Sequence, residues 1–219
     1  MAMNWIFVTG TGTEVGKTYY AAALARTCQQ SGQRVGVYKP VASGCQRDGE
    51  GRLVAEDAVQ LWQAAGQPLT LETVCPQKFA APLAPPEAAA AEGCCIDEEL
   101  LLKGLDAFQP HDAFQPHEVP SQAFDTLIIE GAGGLFSPIS DTWLNIDFIL
   151  KAKSLHPIEV ILVAANRLGV QHEIIATTRA AQASGLTIDR IILNTIHPDD
   201  STDTNATELA KWIDTPIQT

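Results

Sequence analysis

Short apolar runs alternate along this chain with longer stretches in which apolar residues recur every third or fourth position. Residues 6–9 open with Ile6-Phe7-Val8, and over residues 18–30 Ala21, Leu24, Ala25 and Cys28 fall at i, i+3, i+4 and i+7. That pattern predicts a buried strand followed by an amphipathic helix, which Gly32 stops. Residues 35–38 read as a second strand, 55–65 and 96–107 as helices, and 126–129 as a buried strand. Strands at 160–164 and 188–193 flank a helix at about 171–184. Between 76 and 92 the chain is rich in Pro and Ala, and Pro82, Pro85 and Pro86 argue against a regular helix through its centre. Strands alternating with helices predict an α/β fold, with a mostly parallel central sheet covered by helices on both faces. Ligands of such sheets sit beyond the carboxyl ends of the strands.

One segment breaks the rhythm. Ala107-Phe-Gln-Pro-His-Asp112 is followed at once by Ala113-Phe-Gln-Pro-His-Glu118. Two copies of six residues are too few and too short for a solenoid, so the duplication reads as a lengthened surface loop. His111 and His117 lack the further ligands a metal site needs.

Bulk properties narrow the function. With 219 residues and 46% of them apolar, the chain is expected to form one globular domain over 1–219. Its net charge of −12 argues against nucleic acid or an anionic membrane as the main partner. No apolar stretch is long enough to span a bilayer, and the N-terminus lacks a basic region, apolar run and cleavage site; a cytoplasmic location is expected. The five cysteines are odd in number and fit no zinc or disulfide framework, so they are expected to be reduced thiols.

Chemistry is most legible at Gly10-Thr-Gly-Thr-Glu-Val-Gly-Lys-Thr18, directly after the first strand. Glycines let backbone N–H groups turn inward around phosphate oxygens, and the following helix points its positive end at the same place. Lys17 can reach the β- and γ-phosphates, and the Thr18 hydroxyl can ligate Mg²⁺. The loop departs from G-x-x-x-x-G-K-[ST] in carrying Thr11 where glycine is usual, with glycines at Gly10 and Gly12 instead.

Further candidates sit at or just past strand ends. Lys39 follows the second strand; beside a triphosphate it becomes a second cation for a phosphoryl group in transfer. Ser43 lies in Pro40-Val-Ala-Ser-Gly44, a loop able to donate hydrogen bonds. Asp57 begins a helical pattern, where the helix dipole alone would favour it. Glu130 ends the apolar run Thr126-Leu-Ile-Ile129, the place of a Mg²⁺-holding carboxylate in phosphate-loop proteins. Gly131, Ala132, Gly133 and Gly134 after it leave room for a substrate to approach the backbone.

Taken together, Gly10–Thr18, Tyr38-Lys-Pro-Val-Ala-Ser-Gly44, Glu56-Asp57, Phe79-Ala-Ala-Pro82 and Glu130-Gly-Ala-Gly-Gly134 resemble the dethiobiotin synthetase family, in that order and over residues 4–197. The family shares the one-residue departure in its phosphate loop. The resemblance implies a cyclo-ligase that uses Mg²⁺ and ATP as co-substrate to close the ureido ring of dethiobiotin. The substrates would be 7,8-diaminononanoate and CO₂ (or bicarbonate), with ADP and phosphate released. It further implies that Lys17 and Lys39 neutralise the phosphoryl group and carbamate, and that Thr13 and Ser43 hydrogen-bond to reacting groups. Gly12, Thr13, Glu14, Val15, Gly16, Lys17 and Thr18 would hold the nucleotide, Asn194 would read adenine, and Thr18, Asp57 and Glu130 would hold Mg²⁺.

Ser43 and Gly131 to Gly134 would line the substrate site. Leu168, Gly169 and Val170, within Arg167-Leu-Gly-Val-Gln171, match a segment that caps the substrate carboxylate from a neighbouring subunit, implying a homodimer. Physically, that segment would offer free N–H groups at a helix start, though it also reads simply as a loop into that helix.

Two departures carry implications. Gly12 stands where the family often has Asp, making the loop one charge less acidic. The sequence stops at Thr215-Pro-Ile-Gln-Thr219, short of the family's strand and Gly-x-x-Pro-like turn beside the adenine, which implies looser discrimination among triphosphates. The rival class is a switch ATPase of the partitioning or metallochaperone type. Those proteins carry an extra Lys early in the loop, where this chain has Thr-Gly-Thr-Glu-Val at 11–15.

Overall fold

A computed structural model of the chain describes residues 3–109 and 123–219. The first half runs β1 (Asn4–Gly10), α1 (Lys17–Gln30), β2 (Val35–Tyr38), β3 (Val41–Ala42), β4 (Gln46–Arg47), β5 (Leu53–Val54), α2 (Glu56–Ala64) and α3 (Leu71–Val74). There follow β6 (Gln77–Lys78), α4 (Pro85–Ala91), α5 (Glu98–Lys103) and a 3₁₀ turn (Gly104–Phe108). The second half runs β7 (Thr126–Glu130), α6 (Asn145–Lys153), β8 (Ile158–Ala165), α7 (Val170–Ala183), β9 (Arg190–Asn194), α8 (Asn205–Leu209) and β10 (Ile217–Gln218).

Six strands form one sheet in the order β10-β9-β8-β1-β7-β2, with every pairing parallel. Because side chains alternate along a strand, two apolar clusters form, one on each face. Trp5, Phe7, Leu127, Ile129, Val160 and Leu162 point to one side, where α4, α5, α6, α7 and α8 contribute Ala88, Leu101, Phe148, Ile174 and Leu209. Ile6, Val8, Ile128, Ile161 and Val163 point to the other, against Ala21 and Ala25 of α1, Leu61 of α2 and Val74 of α3. Burial on both faces is why these strands read as continuous apolar runs. The α/β architecture expected from the sequence is therefore the one observed. Among the described residues, no helix is long and apolar enough to cross a membrane.

Two local expectations need correction, and two elements add to those expected. The Pro-rich stretch does contain a helix: α4 begins at Pro85 and Pro86 themselves, in its first positions, where no backbone N–H is required. The helix expected over 96–107 is shorter, passing at Gly104 into a 3₁₀ turn. The apolar periodicity of α6 (Ile146, Ile149, Ala152) went unread. A short edge strand also joins the sheet, Ile217 and Gln218 pairing with Ile191 and Ile192. The tandem hexapeptide falls largely outside the described residues.

Candidate active site

The carboxyl ends of β1, β2 and β7 lie side by side, and the loops leaving them enclose a cavity of about 310 Å³. Thr13, Glu14, Gly16, Lys17, Thr18, Lys39, Ser43, Asp57, Glu130, Ala132 and Gly133 all line it. Residues separated by more than a hundred positions thus meet because a parallel sheet places all its carboxyl ends on one edge. A second cavity of about 530 Å³ shares Thr13, Glu14, Ser43, Ala132 and Gly133 and extends along Pro82 to Pro85.

The phosphate loop runs from the end of β1 into α1, which starts at Lys17 after Gly16 in a left-handed conformation, φ 93°. Glu14 also adopts positive φ, at 59°, a costly arrangement for a residue with a side chain. A Cβ at Gly16 would lie 1.9 Å from the Asn194 amide nitrogen, which itself donates to the Val15 carbonyl at 3.1 Å. Asn194, at the end of β9, is therefore held against the loop. Gly134 approaches just as closely: a Cβ there would meet the Thr11 carbonyl at 3.0 Å and Gly12 Cα at 3.2 Å.

At the centre stand two lysines and two carboxylates. Lys17 Nζ donates to the Gly12 carbonyl at 2.9 Å. Lys39 is buried, and its ammonium bridges Glu130 Oε1 and Asp57 Oδ2, the latter at 3.1 Å. It also donates to the Gly131 carbonyl at 3.3 Å. Thr18 Oγ1 donates to the same Glu130 Oε1 at 2.9 Å. Burial pulls the Lys39 ammonium down, but the Glu130 and Asp57 carboxylates outweigh burial and hold its pKa above the ordinary lysine value. Burial, then the neighbouring Lys39 charge, brings Lys17 down to about 8, against the pull of Glu130 and Asp57. At Asp57, burial pushes the carboxyl up, yet Lys39, Thr18 and Lys17 together hold it below its ordinary value.

Glu130 is fully buried and its second oxygen, Oε2, has no hydrogen-bond partner. An orphaned buried carboxylate oxygen facing a phosphate cavity suits a cation. Among the described residues no group of three or more His, Cys, Asp or Glu side chains could hold a metal alone. Thr18, Glu130 and Asp57 would thus form a partial set, to be completed by phosphate and water oxygens, as Mg²⁺ ordinarily requires.

Sequence reasoning missed Asn145. It is buried at the start of α6, and its amide nitrogen donates to the carbonyls of Ala132, Gly134 and Ser137 at 2.7, 3.1 and 3.0 Å. Its oxygen accepts the Ala132 N–H at 3.1 Å. One side chain thus sets the curvature of the loop after Glu130. The only sequence signal was an Asn opening an unread helix.

Leu168, Gly169 and Val170 are not brought to either cavity within the chain. Val170 is buried, and its N–H donates to the Arg167 carbonyl at 3.1 Å. The Leu168 N–H donates to Asp199 Oδ2 at 2.7 Å. The expected free N–H groups are therefore engaged at two of the three positions. The Leu168 side chain is exposed.

Comparison with known proteins accords with this geometry. A family model described as "AAA domain" matches residues 4–217. The ATP-dependent dethiobiotin synthetase BioD of Rhodopirellula baltica is 48% identical over 96% of this chain and 81% of its own length. The ATP-dependent dethiobiotin synthetase BioD 1 of Escherichia coli strain K12 is 36% identical over 88% of this chain and 78% of its own. Among solved structures, the cell division protein ftsY of Thermotoga maritima superposes with a TM-score of 0.54 at 17% identity, over 99% of this chain and 60% of its own. That likeness speaks to the fold alone: a phosphate-loop sheet with helices on both sides. Identity at this level across most of both chains, on a sheet whose edge gathers the motif residues, means that the chain belongs to the dethiobiotin synthetase family.

Proposed function

We propose that this chain closes the ureido ring of dethiobiotin from 7,8-diaminononanoate and CO₂, with Mg²⁺ and ATP, releasing ADP and phosphate. The observation that carries the reading is the buried Lys17–Lys39–Glu130–Asp57 cluster on a phosphate loop, in a member of this family. One amine of the diamine adds to CO₂, forming a C–N bond and losing a proton to give a carbamate. A carbamate oxygen then takes the γ-phosphoryl group of ATP as the bond to ADP breaks. The second amine attacks the carbamate carbon, the C–O bond to phosphate breaks, and the amine gives up one proton to the departing phosphate or to water.

No protein nucleophile is needed; orientation and charge neutralisation suffice. Lys17 takes charge on the β- and γ-phosphates, and Lys39 takes charge on the carbamate and the phosphoryl group in flight. Thr13 and Ser43, which line both cavities, orient the reacting groups. Gly12, Glu14, Val15 and Gly16 wrap the phosphates, and Asn194 meets the base. Gly131, Ala132, Gly133 and Gly134 form the substrate wall. Mg²⁺, which Thr18, Asp57 and Glu130 would hold directly or through water, would supply charge neutralisation to the triphosphate.

Leu168, Gly169 and Val170 serve a second copy in this reading, as a homodimer with shared sites; their distance from the chain's own cavity supports it. Leu168 would offer its N–H to that copy only by release from Asp199. The enzyme works in the cytoplasm. The test is phosphate release with Mg·ATP and bicarbonate, with and without 7,8-diaminononanoate, followed by mass spectrometry. Phosphate and dethiobiotin appearing together, only with the diamine, is the expected result. Diamine-independent hydrolysis without dethiobiotin would instead mark a switch ATPase.

A further inference from the structure

The one position at which the phosphate loop departs from its usual pattern has a use. Thr11 stands where glycine is ordinary, and its hydroxyl donates to Glu173 Oε2 on α7 at 3.1 Å. The other oxygen of that carboxylate, Oε1, accepts from Arg167 Nη2 at 2.7 Å. Arg167 Nη1 turns back to the carbonyl of Leu168 at 3.2 Å. Thr11 itself is fixed, since its N–H donates to Val163 of β8 at 3.0 Å and its carbonyl lies against the loop at Gly134. One carboxylate therefore spans two segments more than 150 positions apart: the phosphate loop and the turn from Arg167 to Gly169.

We infer that Glu173 is a positioning residue, holding the phosphate loop through Thr11 and the 167–169 turn through Arg167 in one fixed relation. The loop that holds this copy's nucleotide and the turn offered to the second copy's substrate are then set in one relation, and the substrate half of this statement rests on the function proposed above. The competing account is local: Glu173 lies in the first turn of α7, where any carboxylate gains from the helix dipole. Two substitutions separate the accounts. Glu173→Asp keeps the charge in that turn but is one methylene too short to reach both partners. Glu173→Gln keeps the length and an accepting oxygen but drops the charge.

The experiment is steady-state kinetics of the full chain with ATP and 7,8-diaminononanoate varied in turn, together with equilibrium Mg·ATP binding and melting temperature. Positioning predicts that Glu173→Asp raises both KM values by about three- to tenfold, the scale of a lost hydrogen bond or two, with kcat moving less. Glu173→Gln is milder, and Thr11→Val, which leaves the carboxylate in the first turn of α7 untouched, reproduces the defect while Thr11→Ser does not. Unchanged KM values and Mg·ATP affinity in Thr11→Val would overturn the inference, as would a Glu173→Asp variant that behaves as wild type. A lower melting temperature with both KM values intact would do the same. If the wild-type protein makes no dethiobiotin, the ligase reading fails by itself, and Mg·ATP affinity in Thr11→Val still decides the role of Glu173.

Discussion

The two halves of the sheet edge are built from different chemistry. At the ends of β1, β2 and β7 stand Lys17, Lys39, Glu130 and Asp57, charges that compensate one another within a few ångströms. At the ends of β8 and β9 the buried groups are amides, Asn166 and Asn205, while the charges of Arg167, Glu173 and Asp199 stand in exposed or half-buried positions around them. Asn205 donates to Asn166 Oδ1 at 2.9 Å and accepts from Gln171 at 3.1 Å, and Asn166 donates to Thr195 at 3.1 Å. The charged half can stabilise charge that moves, because its dipoles and ions are already oriented. The half with the neutral core defines a shape, its few charges lying where solvent screens them. The difference teaches that turnover should be concentrated in the first half, and stability shared by both.

The largest break in that comparison is Lys17→Ala, which should lower turnover by about a thousandfold or more, since the triphosphate loses its central cation. Near-normal phosphate release would refute the role given to the loop. Next, Lys39→Ala should reduce kcat by about a hundredfold while nucleotide affinity changes only a little, as expected for a group acting on transferring charge. Binding and rate falling equally, measured by titration and single turnover, would make it a ground-state contact instead.

A smaller effect comes from pH. Lys17 in the folded chain loses its proton near 8 instead of 10.5. Between those values the unfolded chain holds more protons, so this group makes the fold gain stability as pH rises. Function moves oppositely: kcat/KM for ATP should fall by about tenfold per unit above pH 8 as Lys17 becomes neutral. A flat profile to pH 9.5 would contradict this. Smallest for turnover is Asn205→Ala. It leaves Asn166 and Gln171 short of partners and should cost about 1–3 kcal/mol in urea unfolding, with kcat little changed. A large loss of kcat at full stability would erase the contrast between the halves.

The sequence announced the charged half far better than the neutral one. Lys17 and Thr18 sit in a contiguous motif, and Lys39 and Glu130 each end an apolar run, so their meeting follows from the parallel sheet. Asn145, Asn166, Glu173 and Asn205 belong to no spacing rule, and their value lies in bonds to segments remote in the chain. Fold legibility divided similarly. Strands buried on both faces were plain as apolar runs, whereas two-residue strands such as β3 and β6 carry no periodicity at all. The α4 helix escaped because prolines were weighed as breakers rather than as openers.

The contact between Gly16 and Asn194 reaches beyond this one molecule. A methyl group at position 16, in a loop held at φ 93°, would fall 1.9 Å from the amide nitrogen of residue 194 at the end of β9. The amide could swing aside, but the left-handed backbone at 16 would still resist a side chain. Change at 194 alone therefore does not free position 16, and the glycine is expected to outlast whatever residue faces it.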